Sequence, residues 1–175
     1  MTKENFSKIY DEHSKEIFNF LFLRTRSSDI ANDITSEAFF KFWKSNCDKP
    51  ENYLKNPRAF IYRLARNCLV DFYRKENKQI TVSIEASTED SENENVIEIQ
   101  LKSDEDIKQD YADNEKKQIV LTTIKTLNPI YADVLIYHYI QGLDSKEISL
   151  IINRTEQNTR VIIHRALESL KKALK

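Results

Sequence analysis

A chain of 175 residues with one glycine, Gly142, and three prolines has few means of reversing direction tightly. Glycine supplies the positive-φ positions of hairpin turns, and proline presets turn geometry. Their scarcity argues against a turn-rich β fold and predicts an all-helical one. Hydrophobic residues make up 40% of the chain and charged residues 31%, the balance of a globular protein rather than an unfolded one. No apolar run approaches the roughly 20 residues that span a bilayer. The start, Met-Thr-Lys-Glu-Asn-Phe, has no hydrophobic signal core, so a cytoplasmic location is expected. Cys47 and Cys68 lack metal-ligand spacing and read as inert intracellular thiols.

The net charge of −1 conceals a pattern. Residues 1–80 carry 15 Lys and Arg against 11 Asp and Glu, whereas residues 85–115 carry 12 acids against only Lys102 and Lys108. Residues 116–175 return to 10 basic against 5 acidic. Two basic blocks joined by an acidic strap predict two small helical domains, 1–80 and 114–175, with an extended linker at 81–113. Ser83 to Glu94 is rich in Ser, Glu, Asp and Asn, a linker composition. Val96-Ile-Glu-Ile-Gln-Leu101 alternates like a strand but has no partner strand, so it reads as an extended docking segment.

Three helices are expected before the strap. The first runs from about Lys3 to Arg24, and the second is capped by Ser28 or Asp29 and ends near Ser45. The third starts at Pro57 behind an Asn56 cap and reaches about Asn77. Four more are expected at about 114–126, 129–140, 145–152 and 156–173, with Gly142 closing the second of these in a left-handed conformation.

The third helix carries Ile61, Leu64, Ala65, Cys68 and Phe72 as an apolar stripe. Arg63, Asn67, Asp71 and Arg74 run down another face, flanked by Tyr62, Arg66 and Tyr73. Guanidinium forks, an amide and aromatic rings read base edges, stack on unpaired bases and neutralise phosphates. A merely solvated face is the competing reading. In the second helix, Phe39, Phe40, Phe42 and Trp43 cannot all face one core, because successive helical residues point about 100° apart. Phe39 and Phe42 fit a buried stripe with Ile34, Ala38 and Ile30 or Ala31. Phe40 or Trp43 then stands partly exposed beside Asp33, Glu37, Lys41 and Lys44, as a protein-docking patch does.

Near the C-terminus, Asp144-Ser-Lys-Glu147 is a capping box. Asn153 stands where a sharp turn needs the left-handed conformation, and Thr155 caps the last helix. The inner side of that helix is Thr159, Ile162 or Ile163, Ala166, Leu167 and Leu170. A short capped helix, a tight turn and a longer capped helix form a helix-turn-helix, whose second helix enters the major groove. Glu156, Gln157, Asn158, Arg160 and Val161 fall at its base-reading end. Arg154, His164, Arg165, Lys171 and Lys172 are placed for phosphates. A helical hairpin used for protein contacts is the alternative.

In order along nearly the whole chain, these segments resemble a bacterial sigma factor of the sigma-70 family, in its small extracytoplasmic-function group. Asp29 to Trp43 is similar to regions 2.1–2.2, Pro57 to Arg74 to regions 2.3–2.4, and Leu127 to Leu170 to region 4, with its His-Arg-Ala166 ending. The spacing of Arg63, Asn67, Asp71 and Arg74 is the most specific match. Departures are Phe60 for Trp, Ser36 for Gln, Asn153 for Gly, and Thr159-Arg-Val-Ile162 where Val-Lys-Ser-Arg is common.

The resemblance implies that Asp33, Glu37, Phe40 and Trp43 dock on the clamp of the RNA polymerase largest subunit. It implies that Tyr62, Arg63, Arg66, Asn67, Asp71 and Arg74 take the −10 element as single strand, with a base flipped into a pocket lined by the 47–57 loop. It implies that Arg154, Glu156, Gln157, Asn158, Arg160, His164 and Arg165 serve the −35 duplex, and that region 4 also binds the polymerase flap. The acidic strap would run through the polymerase's nucleic-acid channel, and an anti-sigma factor is a further expected partner. No catalysis and no cofactor are expected, since glycine-rich loops, metal-ligand clusters and nucleophile–base motifs are missing from the sequence. An ordinary helix-turn-helix regulator with an N-terminal interaction domain is the second reading; it leaves the 58–75 match without a role.

Overall fold

A computed structural model describes residues 1–50, 55–83 and 109–174, and every regular element among them is helical. The order is α1 (Lys3–Thr25), α2 (Ser28–Asn46), α3 (Pro57–Ser83), α4 (Gln109–Thr126), α5 (Pro129–Leu135), α6 (Ser145–Ile152) and α7 (Glu156–Ala173). α5 continues as a π-helical turn, Ile136–Ile140. The expected strand-like segment 96–101 and most of the expected linker lie outside the described residues. The helices on either side run further than expected: α3 continues to Ser83, and α4 begins at Gln109.

Capping chemistry sets most of the ends. Ser27, rather than Ser28 or Asp29, caps α2, its hydroxyl accepting from the Ile30 amide at 3.3 Å. Arg26 ahead of it closes α1 in the left-handed region (φ 58°), its amide donating to the Phe22 carbonyl at 2.8 Å. That leaves a two-residue corner, Arg26–Ser27, which forces α1 and α2 side by side. Asn56 caps α3 through the Ala59 amide at 2.9 Å, and Asn128 caps α5 through the Ile130 amide at 3.1 Å. Gly142 has φ 66° with open space where a Cβ would stand, so backbone conformation rather than crowding requires glycine there.

α1, α2 and α3 form the N-terminal lobe. Its interior holds Ile17, Phe20 and Leu21 of α1, Ala31, Ile34, Ala38, Phe39 and Phe42 of α2, and Ala59, Ile61, Ala65 and Leu69 of α3. The α3 stripe is shifted from expectation. Tyr62 and Leu69 are buried along with Ile61, Ala65 and Cys68, while Leu64 and Phe72 are only half-buried. Phe6 closes one end of this core, 5.2 Å from Trp43 and 6.4 Å from both Phe39 and Phe42. In the C-terminal lobe, Ala132, Val134, Leu135, Leu143, Ile148, Ile151, Thr159, Ile163, Ala166 and Leu170 are buried between α5, α6 and α7.

The two lobes share one continuous core. α3 packs on α6, and Phe20, Tyr62 and Tyr137 meet where the lobes join, with centroid distances of 4.8, 5.4 and 5.9 Å. Arg58, in the first turn of α3, bridges both lobes. It forks onto Glu16 at 2.8 to 3.2 Å and donates to the Gln141 carbonyl at 3.0 Å. Burial on its own raises the Glu16 carboxyl, but hydrogen bonds from His13 and Arg58 outweigh it and hold the group below the ordinary glutamate value.

Phe42 is fully buried, so Phe42→Ala is expected to cost about 3–5 kcal/mol through lost transfer energy and the cavity left behind; a urea titration measures it. A depressed carboxyl contributes stability above its unfolded-state pKa and loses it as pH falls through the folded one. Stability therefore drops on acidification below the ordinary glutamate range, and Glu16→Gln should lose less stability than wild type between about pH 6 and about pH 3.

Candidate nucleic-acid interface

Arg63, Asn67, Asp71 and Arg74 are all exposed and line one side of α3. Their spacing of four, four and three residues is that of a single helical face. Arg63 lies over the Phe60 ring, 5.0 Å from its centroid, which presents the outer face of the guanidinium for stacking or hydrogen bonding. Arg74 pairs with Asp71 at 3.2 Å; both are exposed, so the pair constrains geometry more than it stabilises. Beside this face, a groove of about 440 Å³ between α2 and α3 is lined by Asp33, Glu37, Lys41, Cys68, Asp71 and Arg74. Within it Lys41 reaches Glu37 at 2.7 Å and Cys68 at 3.3 Å. Burial pushes the Cys68 thiol up, with Lys41 opposing, which disfavours the reactive thiolate.

Tyr62 and Arg66 stand elsewhere. Tyr62 is fully buried rather than flanking the open face. Arg66 is half-buried and turns to the C-terminal lobe, where its Nε meets Asp133 Oδ2 at 2.9 Å. The physical reason is angular: residues 62 and 66 form their own helical row, and that row faces Asp133 of α5 and Tyr137 of the π-helical turn after it. Asp133 is 3% exposed and also meets Arg24 at 3.0 Å, an ion pair without hydrogen-bond alignment. Burial drives the Asp133 carboxyl up, and the two guanidiniums pull it only part of the way back. Asp133, Arg24, Arg58 and Tyr137 carry this junction, and sequence reasoning assigned none of them a role. The available signal was a lone acid inside the apolar run Ala132–Ile136.

On α2, Asp33 and Glu37 are exposed, and Phe40 is the most exposed large apolar residue among those described, at 63%. Trp43 is half-buried against Phe6. Phe6, Tyr10, Phe39, Phe40 and Trp43 line an open apolar groove of about 450 Å³. Ring edges and a charged rim suit the face of a partner helix.

The helix-turn-helix has the expected geometry. The Glu147 amide donates to Asp144 at 2.7 Å, and the Glu147 carboxylate accepts from the Asp144 amide at 3.1 Å. Asn153 has φ 53°, and Thr155 accepts from the Asn158 amide at 3.2 Å. Thr159 and Ile163 turn inward with Ala166 and Leu170, leaving Ile162 and Leu167 half-buried. Arg154, Gln157, Asn158, Arg160, Val161, His164 and Arg165 are exposed. Glu156 is engaged within the fold: it accepts from Ser145 at 3.0 Å and from Arg160 at 2.6 Å, tying α7 to the start of α6. Those bonds hold its carboxyl below the ordinary value. No group of His, Cys, Asp and Glu able to hold a metal exists among the described residues, nor any helix long and apolar enough to cross a membrane.

Two family models match in the order of the chain: sigma-70 region 2 over residues 9–79 and sigma-70 region 4 over residues 117–170. Among similar proteins is the ECF RNA polymerase sigma factor SigM of Bacillus subtilis, 23% identical over 164 residues, covering 94% of this chain and 91% of that one. The RNA polymerase sigma factor YlaC of the same organism is 24% identical over 170 residues, covering 97% of this chain and 92% of its own. In fold, the chain is similar to the sigma factor RpoE from Bartonella quintana, solved in complex with the anti-sigma factor NepR. The TM-score is 0.71 at 15% identity, over 98% of this chain and 97% of that one. A second likeness is to CnrH, solved with the cytosolic domain of CnrY, with a TM-score of 0.67 at 15% identity over 99% and 89%.

Asp144→Ala removes the cap of α6 and is expected to cost about 1 kcal/mol of stability, read as a lower urea midpoint with the helical circular dichroism of the native state retained.

Proposed function

Since the chain belongs to the sigma-70 family of RNA polymerase sigma factors, in its extracytoplasmic-function group, we propose a division of labour among its surfaces. The protein is a promoter-directing subunit of RNA polymerase, and its family consists of non-enzymatic initiation factors. The α2 face, with Asp33, Glu37, Phe40 and Trp43, docks on a helical element of the polymerase. The open α3 face takes the −10 strand: Asn67 reads a base edge, Arg63 stacks or pairs, and Arg74 neutralises phosphate. The exposed face of α7 reads the −35 duplex, with Gln157, Asn158 and Arg160 toward the bases and Arg154, His164 and Arg165 toward the backbone. Glu156 acts in support, holding Arg160 and the first turn of the motif.

The observation that carries this reading is the exposed row Arg63–Asn67–Asp71–Arg74, on a helix whose opposite side is core. An amide between two guanidiniums on a rigid helix is suited to capturing an unstacked base, which offsets the few kcal/mol of opening the duplex. The chain performs no bond chemistry in this reading and needs no cofactor; it works in the cytoplasm, where the polymerase and DNA are. An anti-sigma protein is a fitting partner, supported by the similarly folded RpoE of Bartonella quintana, which was solved with the anti-sigma factor NepR. A stand-alone helix-turn-helix regulator leaves the region 2 match over 9–79 without a purpose.

The test combines the purified chain with core polymerase and genomic promoter fragments, and maps transcript starts. New, discrete start sites support the reading; a chain that never associates with core polymerase defeats it. Asn67→Ala is expected to reduce open-complex formation about 5- to 150-fold, the scale of one lost base contact of about 1–3 kcal/mol, with core binding unchanged. Phe40→Ala should do the reverse, weakening core binding first.

A further inference from the structure

Among the side chains first assigned to the base-reading end of α7, Val161 alone has no role yet, and it is 47% exposed. We propose that Val161 is a specificity-determining residue that selects thymine in the −35 duplex, packing on the C5-methyl group in the major groove. The inference rests on the promoter reading above and adds to it a base that α7 prefers. Where the family pattern commonly has serine, this chain has a side chain with no hydrogen-bonding group.

Three features of α7 support it. The first is direction. Thr159, Ile163, Ala166 and Leu170 form the buried row of the helix. At about 100° per residue, Val161 points almost directly away from that row, and exposed Gln157 precedes it by one turn. Val161 therefore stands on the crest of the helix, in the N-terminal part that a recognition helix presents to base edges.

The second feature is the commitment of its neighbour. Arg160 turns toward the start of α6, where its Nε donates to Ser145 Oγ at 3.3 Å and its Nη2 to Glu156 at 2.6 Å. Glu156 also accepts from Ser145 at 3.0 Å. Two guanidinium nitrogens are thus engaged within the motif, and a fork onto guanine O6 and N7 takes two. While the pair holds, Arg160 reaches the duplex with too few donors for that fork.

The third feature is chemistry. An A·T pair shows the major groove the thymine methyl beside an adenine edge that a glutamine amide fits. Gln157 and Val161 lie about 6 Å apart on one side of the helix, within two base-pair steps of about 3.4 Å. Valine gains at a base edge only by covering apolar area, which the methyl supplies. A cytosine amino group in the same place would lose water and find no partner, so the side chain also rejects the competing base.

The test uses holoenzyme, formed from the full chain and core polymerase, on a promoter fragment taken from the mapped start sites. Each thymine of the −35 region, on either strand, is replaced in turn by deoxyuridine, which pairs identically and lacks only the methyl. Competition between labelled and unlabelled fragments reads the affinity. Wild type is expected to lose about fourfold at one thymine, the effect of one methyl group no longer buried. Val161→Ser is expected to bind the thymine and deoxyuridine fragments alike at that position, within about 1.5-fold. Should Val161→Ser fail to fold, as its circular dichroism would show, Val161→Ala, a better helix former, takes its place and should lose most of the discrimination. Wild type indifferent to every replacement overturns the proposal, and so does a folded variant that keeps the fourfold discrimination. A chain that never associates with core polymerase defeats the promoter reading. Holoenzyme that starts transcription at discrete sites yet ignores every deoxyuridine defeats this inference alone.

Discussion

The carboxylate of Asp133, held between Arg24 and Arg66, is the contact on which the arrangement of the two lobes depends. It joins α5 to the end of α1 and the middle of α3, the two helices that frame the N-terminal core. Around it, Phe20, Tyr62 and Tyr137 supply the apolar contact, and Arg58 bolts the far side through Glu16 and the Gln141 carbonyl. Tyr73 reinforces the same corner, its hydroxyl donating to the Arg24 carbonyl at 2.8 Å. A junction of this kind specifies orientation more than it adds stability, because two guanidiniums and a carboxylate lose nearly as much hydration as they regain in pairing.

That balance separates two kinds of surface in one small chain. Within each lobe the contacts are apolar and capped, and they hold helices whose functional side chains point outward. Between the lobes an aromatic contact of Phe20, Tyr62 and Tyr137 is flanked by charged ones, Asp133 with Arg24 and Arg66, and Arg58 with Glu16. α3 belongs to both. Its row Ile61, Ala65, Cys68 and Leu69 anchors the N-terminal lobe, its row Tyr62 and Arg66 meets the C-terminal lobe, and its row Arg63, Asn67, Asp71 and Arg74 is left for a ligand.

Local chemistry made much of this legible. Asn56 with Pro57, Asn128 with Pro129, the Asp144–Glu147 box and the Thr155 cap each act within four residues, and each helix start follows from them. The two left-handed positions read in advance, Gly142 and Asn153, are likewise local. The open row of α3 and the exposure of Phe40 follow from periodicity against a core that must lie somewhere. Ser27 displaced the expected cap of α2 because the corner after α1 is only two residues long, a constraint visible only once both helices are placed.

By itself the sequence determined an all-helical chain with basic lobes, a capped helix-turn-helix and a helix whose polar face carries Arg63, Asn67, Asp71 and Arg74. These depend on propensity, spacing and caps, whose range is one or two turns. Only the tertiary structure decided the fate of Tyr62 and Arg66. Periodicity says which side of a helix a residue occupies, but not whether that side meets water or another lobe. Their partners, Tyr137 and Asp133, lie 75 and 67 residues away in sequence, and only the folding of the whole chain brings them within contact.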